Sequence, residues 1–187
     1  MVEQENPSVL IRVWLLGPFH MERKRADETW ETIERSSWEH TYARSLLKRL
    51  LCAHERRAMR SDLIDDLWPE RSMSLAEKYL NNAASRLYKV LAYDHIFRSV
   101  GTQGRSGYEL ADQSHLWTDS DECEALLHEA ERLGRTSAAA LPLLECASKH
   151  FERGSILEDV GRAMVYRGTR RKRGDDALLL PLAGRSL

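Results

Sequence analysis

The stretch from Ser74 to Leu91 constrains the fold most, because its apolar residues recur with the period of an α-helix. At about 100° per residue, Ala76, Leu80, Ala83, Ala84, Leu87, Val90 and Leu91 fall on one face. Lys78, Asn82, Ser85 and Lys89 point the opposite way, with Asn81, Arg86 and Tyr88 on the flanks, and this outward face contains no acid. Ser74 and Glu77 have the spacing of a capping box, which predicts that the helix starts there. A stripe of this width is stable only when covered, so the flanking segments must supply the rest of a core.

They have the patterns to do so. His40 to His54 reads as an amphipathic helix with Ala43, Leu46, Leu47, Leu50 and Leu51 inward and Arg44, Lys48 and Arg49 off the stripe. A short helix from Asp62 turns Leu63, Ile64, Leu67 and Trp68 inward and is closed by Pro69, leaving a loop to Met73. At the N-terminus Val9, Ile11, Val13 and Leu15 alternate with Leu10, Arg12, Trp14 and Leu16, the period of a strand ended by Gly17 and Pro18. Phe19 and Met21, then Trp30, Thr32 and Ile33, predict further short strands with Glu22 to Glu28 as the turn. After the long helix, Ile96 to Val100 and Tyr108 to Leu110 read as two strands joined by the glycine-rich tip Gly101 to Gly107, which carries Arg105. From Ser120 the pattern is helical again: Cys123, Leu126, Leu127, Ala130 and Leu133 form one stripe and Ala138 to Phe151, beyond Gly134, a second.

The expected class is therefore α+β. Residues 9–112 would form an N-terminal antiparallel sheet, three helices and a C-terminal β-hairpin. A short all-α helical hairpin would occupy 118–160, and 161–187 would be an irregular basic tail containing Arg167 to Arg173.

Charge and composition narrow the function. The formal net charge of -1 conceals an asymmetry: Arg35 to Gly107 holds 13 Lys and Arg against 8 Asp and Glu, whereas Tyr108 to Val160 holds 4 against 12. The first half could face a polyanion and the second would be repelled by one; two ordinary solvated surfaces are the plainer alternative. No apolar run approaches the roughly 20 residues of a membrane span, and the acidic start around Glu3 and Glu5 lacks the basic and apolar regions of a secretory signal, so a cytoplasmic address is expected. The cysteines Cys52, Cys123 and Cys146 are odd in number and widely spaced, which favours reduced thiols. Cys123, His128, Cys146 and His150 have ligand chemistry, but their helical spacing lacks a knuckle, and ordinary helix positions are the better reading; no metal or other cofactor is expected. Asp65 and Asp66 read as solvated, and no nucleophile with a paired base and no phosphate-cradling loop is present, so no enzyme is expected.

The outward face of the long helix has the chemistry of a groove reader. Asparagine can pair with an adenine edge and arginine with guanine, while Ser and Lys can anchor to phosphate. The short helix and loop before it make a helix-turn-helix arrangement, in which the first helix braces the second across the backbone. Arg105 at the hairpin tip suits a narrow minor groove. A merely solvated face is the bland alternative, weakened by Asn81 and Asn82 side by side, since asparagine is a poor helix former. A protein-binding module or adaptor without DNA binding is the alternative function.

Leu16-Gly17-Pro18, Leu46-Leu47 to Leu51, Asp62 to Glu70, Asn81 to Leu87 and Gly107-Tyr108-Glu109-Leu110, in that order, resemble the OmpR-type winged helix. In particular they resemble the form found in the Streptomyces antibiotic regulatory protein (SARP) family, bacterial transcription regulators, over about residues 9–112. The resemblance implies a winged helix-turn-helix with the helix from Ser74 as recognition helix in the major groove, the Gly101 to Gly107 hairpin as wing, and Lys78, Asn81, Asn82, Ser85, Arg86, Lys89 and Arg105 on double-stranded DNA. It also implies that the loop with Pro69, Glu70, Arg71 and Ser72 meets RNA polymerase. Family members bind direct repeats near promoters and recruit polymerase as activators; a homodimer on DNA is compatible with that. Asp119 to Leu133, with Ala147, Phe151, Gly154 and Leu157, is similar to the beginning of the family's bacterial transcriptional activation domain (BTAD), here only partial. The chain departs from the family at Tyr88, where a second arginine is usual, at Cys123, where an aromatic is usual, and beyond about Val160, where no repeat pattern continues.

Overall fold

The computed structural model describes residues 8–38, 42–101, 106–134 and 136–155. The chain is α+β, with a mixed four-stranded sheet, a three-stranded antiparallel sheet and five α-helices among the described residues.

The first sheet starts from the alternating N-terminal strand. β1 (Ile11–Trp14) buries Ile11 and Val13 and pairs antiparallel with β2 (His20–Lys24), which pairs antiparallel with β3 (Trp30–Thr32). β2 runs on through Glu22 and Lys24, where the sequence predicts a turn. Met21 and Arg23 share the face of β2 that packs on the core: Met21 is buried, and Arg23 is accommodated beside it by donating to the Val90 carbonyl at 2.8 Å and to Glu31 at 2.7 Å, while Glu22 and Lys24 lie on the opposite face. The sheet is mixed, not purely antiparallel as expected, because β7 (Leu116–Thr118) joins the other edge of β1 in parallel register. A three-residue strand paired with residues more than a hundred positions away leaves no local pattern to read. It also carries the sheet past residue 112, where the first domain was expected to end.

Three helices pack beside this sheet. α1 (Ala43–Leu51) buries Ala43, Leu46, Leu47 and Leu50, but Lys48 and Arg49, expected off the stripe, are buried too. The Lys48 ammonium lies 4.6 Å from the centre of the Phe19 ring, and Arg49 Nε donates to Asp66 at 2.6 Å, so each cation is compensated where it is buried. Asp66, expected to be solvated, is thereby part of the α1–α2 contact. α2 (Arg60–Leu67) begins before Asp62, and its chain turns at the buried Trp68. α3 (Met73–Leu91) buries Ala76, Leu80, Ala83, Ala84, Leu87, Val90 and Leu91, the stripe read from its period. It starts one residue before Ser74, with Ser72 at the cap position and no side-chain capping bond, so the Ser74–Glu77 box does not form. Ala92 ends it in the left-handed region at φ +61°, its N–H bonded to the Tyr88 carbonyl.

The second sheet has the order β4 (Arg57–Met59), β6 (Gly107–Leu110), β5 (Phe97–Val100). β4 was not expected: Arg-Ala-Met is too short and too polar at its start to stand out from the approach to α2. Its pairing requires glycine at 107, because a Cβ there would sit 2.4 Å from the Ala58 carbonyl oxygen.

α4 (Asp119–Leu133) follows β7 directly and packs antiparallel to α5 (Leu141–Phe151) as a helical hairpin. The Asp119 carboxylate is fully buried and accepts the Leu15 and Leu16 amides at 2.7 and 3.1 Å, satisfying two donors at the end of β1. Arg56 ties the same region from the other side. Its Nη1 donates to the Ala111 and Leu116 carbonyls at 2.9 and 2.8 Å, and its Nη2 pairs with Asp121. Leu16, Cys123, Ala147 and Leu126 fill the small core beneath the hairpin. The tail expected at 161–187 lies outside the described residues.

Candidate nucleic-acid interface

The apolar stripe of α3 is held down by α1, α2 and β5, and this decides which side chains are left outward. Lys78, Asn81, Asn82, Ser85 and Lys89 are all exposed. Lys78, Asn82, Ser85 and Lys89 follow one another at successive turns within an arc of about 60°, and a helix of this kind, about 10–12 Å across, matches a major groove about 12 Å wide. Glu77 is exposed at the side of this face, so the arc itself carries two cations and two neutral hydrogen-bonding groups without an acid, with Asn81 beside it.

Arg86 is placed differently. Its Nε and Nη2 both donate to the Ser37 carbonyl, at 3.1 and 2.9 Å, and the side chain is half-buried against the short 3-10 helix at Arg35–Trp38. This guanidinium anchors α3 to the segment before α1 and is not brought together with the outward set. Tyr88 packs inward as well, its ring centre 4.6 Å from that of Phe97. Arg105 lies outside the described residues. Pro69, Glu70, Arg71 and Ser72 are all exposed between α2 and α3, and Met73 beside them is 59% exposed. Next to this loop the Tyr42, Trp68 and Tyr79 rings pack mutually, with centres 5.1 to 6.0 Å apart.

One participant went unread in the sequence. Arg60, at the first turn of α2, donates through Nη2 to Asn81 Oδ1 at 2.8 Å and through Nη1 to the Tyr108 hydroxyl at 2.7 Å. Its own backbone N–H donates to the Ser106 carbonyl at 3.0 Å, at the base of the β5–β6 hairpin. One residue thus joins α2, α3 and the second sheet. Its partners lie 21 and 48 positions away, so no local spacing could have disclosed it. Burial pushes the Tyr108 phenol above its ordinary value, with the Arg60 charge acting the other way, so the hydroxyl stays protonated at neutral pH.

The thiol and imidazole set on the helical hairpin is dispersed. The buried Cys123 thiol faces the Ala147 carbonyl at 3.8 Å, and burial and then Asp119 push it above its ordinary value. His128 lies near Glu124 and Glu131, and His150 near Glu122. Among the described residues no group of three or more His, Cys, Asp or Glu could hold a metal ion, and no helix is long and apolar enough to cross a membrane.

No family model, no curated protein and no solved structure matches the chain. The geometry of α3 and its neighbours therefore carries the functional reading by itself.

Proposed function

We propose that the chain is a sequence-specific double-stranded DNA-binding transcription regulator with a winged helix-turn-helix. In this reading α3 is the recognition helix in the major groove, α2 the brace, and the β5–β6 hairpin the wing. The observation that carries it is the acid-free outward arc of Lys78, Asn82, Ser85 and Lys89, with Asn81 beside it, on a helix whose other side is fully committed to the core. Asparagine and serine present donors and acceptors to base edges, and the lysines meet phosphates, so the face has groups for both readout and anchoring. The exposed Pro69 to Ser72 loop, with Met73 and the neighbouring aromatic cluster, is the surface offered to RNA polymerase, which makes the protein an activator.

Selection of bound fragments from a random duplex library tests the reading. The expected result is enrichment of a defined site bound in the nanomolar range, with binding abolished when Asn82 and Lys89 are both replaced by Glu. Recovery of no duplex, or equal binding by the Glu variant, overturns it.

A further inference from the structure

The orientation of the Asn81 side chain is set by a neighbour. A free asparagine amide rotates between two arrangements, one placing its oxygen and the other its NH2 toward a base, and bidentate reading of adenine needs both groups on the base edge. Here the Asn81 oxygen is turned toward Arg60 Nη2 at 2.8 Å, while the NH2 group donates to nothing among the described residues. Arg60 is itself held. Its backbone N–H is bonded to Ser106, its Nη1 to the Tyr108 hydroxyl, and its guanidinium carbon lies 5.6 Å from the centre of the Tyr108 ring. Tyr108 in turn is buried and stacked on Phe97, with ring centres 5.1 Å apart at 25°. The chain of contacts runs from the core of the second sheet to the exposed edge of α3.

We infer that Arg60 is a positioning residue that fixes Asn81 with its NH2 group outward, so that Asn81 selects an acceptor-only base edge, guanine N7 and O6, over adenine. An adenine at that position would place its N6 amine against the Asn81 amine, donor against donor, whereas guanine offers two acceptors to the two amide hydrogens. This inference rests on the proposed DNA-binding reading and adds a base preference to it. Arg60 acts through Asn81 and not on phosphate, which separates it from Lys78 and Lys89.

The test is selection from a random duplex library, followed by affinity measurements on the enriched site and its guanine-to-adenine variants across a range of salt. The proteins compared are wild type, Arg60→Met, Arg60→Gln and Asn81→Asp, each checked for folding by thermal melting. Wild type is expected to prefer guanine at one position by about tenfold. Both Arg60 variants should reduce that preference to within about twofold while leaving the slope of log affinity against log salt unchanged. Asn81→Asp keeps the Arg60 partner but removes the donor, and should lose the same preference. A uniform loss of affinity on all sites with a slope shallower by about one in the Arg60 variants would make Arg60 a phosphate contact and overturn the inference. So would an unchanged base preference in a folded Arg60 variant. Absence of any duplex binding by wild type would overturn the DNA-binding reading itself, and is thereby distinguishable from failure of the positioning role.

Discussion

Replacing Arg86 by Ala separates a residue that builds the scaffold of α3 from one proposed to touch DNA. Two donors of the guanidinium converge on the Ser37 carbonyl at 3.1 and 2.9 Å, in a half-buried setting. A hydrogen bond from a charged donor is worth about 1.5–3 kcal/mol, and because both donors share one acceptor and water reaches part of the group, the lower end applies. A loss of about 1.5–2 kcal/mol is expected, which for a chain of this size lowers Tm by about 3–8 °C. Differential scanning calorimetry measures the first quantity. The second is the salt dependence of binding to a selected duplex. Each phosphate contact contributes about 0.9 to the slope of log affinity against log salt, so Lys89→Ala should make it shallower by about that amount while Arg86→Ala leaves it unchanged. An Arg86→Ala protein with unaltered Tm and a slope shallower by about 0.9 would refute the assignment of Arg86 to the scaffold.

Three further outcomes follow from the geometry. Asp119→Ala leaves the buried Leu15 and Leu16 amides without an acceptor, at about 1–3 kcal/mol each, so urea denaturation should show a loss of about 3–5 kcal/mol; a loss below 1 kcal/mol would contradict the role given to this carboxylate. Ala92→Gly relieves a left-handed backbone at φ +61°, and a gain of about 1 kcal/mol is expected by the same measurement, with a loss as the contrary result. Glu31 is held at a pKa of about 2, below its ordinary 4.5, by hydrogen bonds from Arg25 and then Arg23. Its folded-state pKa is depressed, so its contribution is present above the unfolded value and is lost as pH falls from about 4.5 through about 2. Carboxyl titration by NMR should place its midpoint near 2 and move it up in Arg25→Met, and a wild-type midpoint near 4.5 would refute the pairing.

What the sequence disclosed depended on period and length. The α3 stripe was readable residue by residue because seven apolar positions repeat at helical spacing over nineteen residues, enough to outweigh any local exception. The alternation of Ile11 and Val13 likewise marked β1. Elements whose stability comes from distant partners were not readable. β4 and β7 are three-residue strands made by pairing with β6 and β1, and α3 starts after Ser72 with no side-chain capping bond, so the capping-box spacing of Ser74 and Glu77 pointed to the wrong residue. Burial of Lys48 and Arg49 has no local signature for a related reason: hydropathy marks them as surface, but Phe19 and Asp66 compensate their charges from other elements. In the candidate site the outward set Lys78, Asn82, Ser85 and Lys89 was legible from angular spacing alone. Spacing could not tell that Arg86 is drawn to Ser37 or that Arg60 reaches Asn81, because both contacts depend on how α3 lies against other segments.

Entry of α3 into a major groove is tested most directly by methylation interference on a selected duplex. Guanine N7 lies in the major groove, so methyl groups there obstruct a helix seated in it, whereas adenine N3 methylation reports on the minor groove. Interference is expected at guanine N7 positions clustered within one helical turn for each bound protomer, and it should disappear along with binding in the Asn82→Glu, Lys89→Glu protein. Binding that is indifferent to guanine N7 methylation throughout the site would contradict the account.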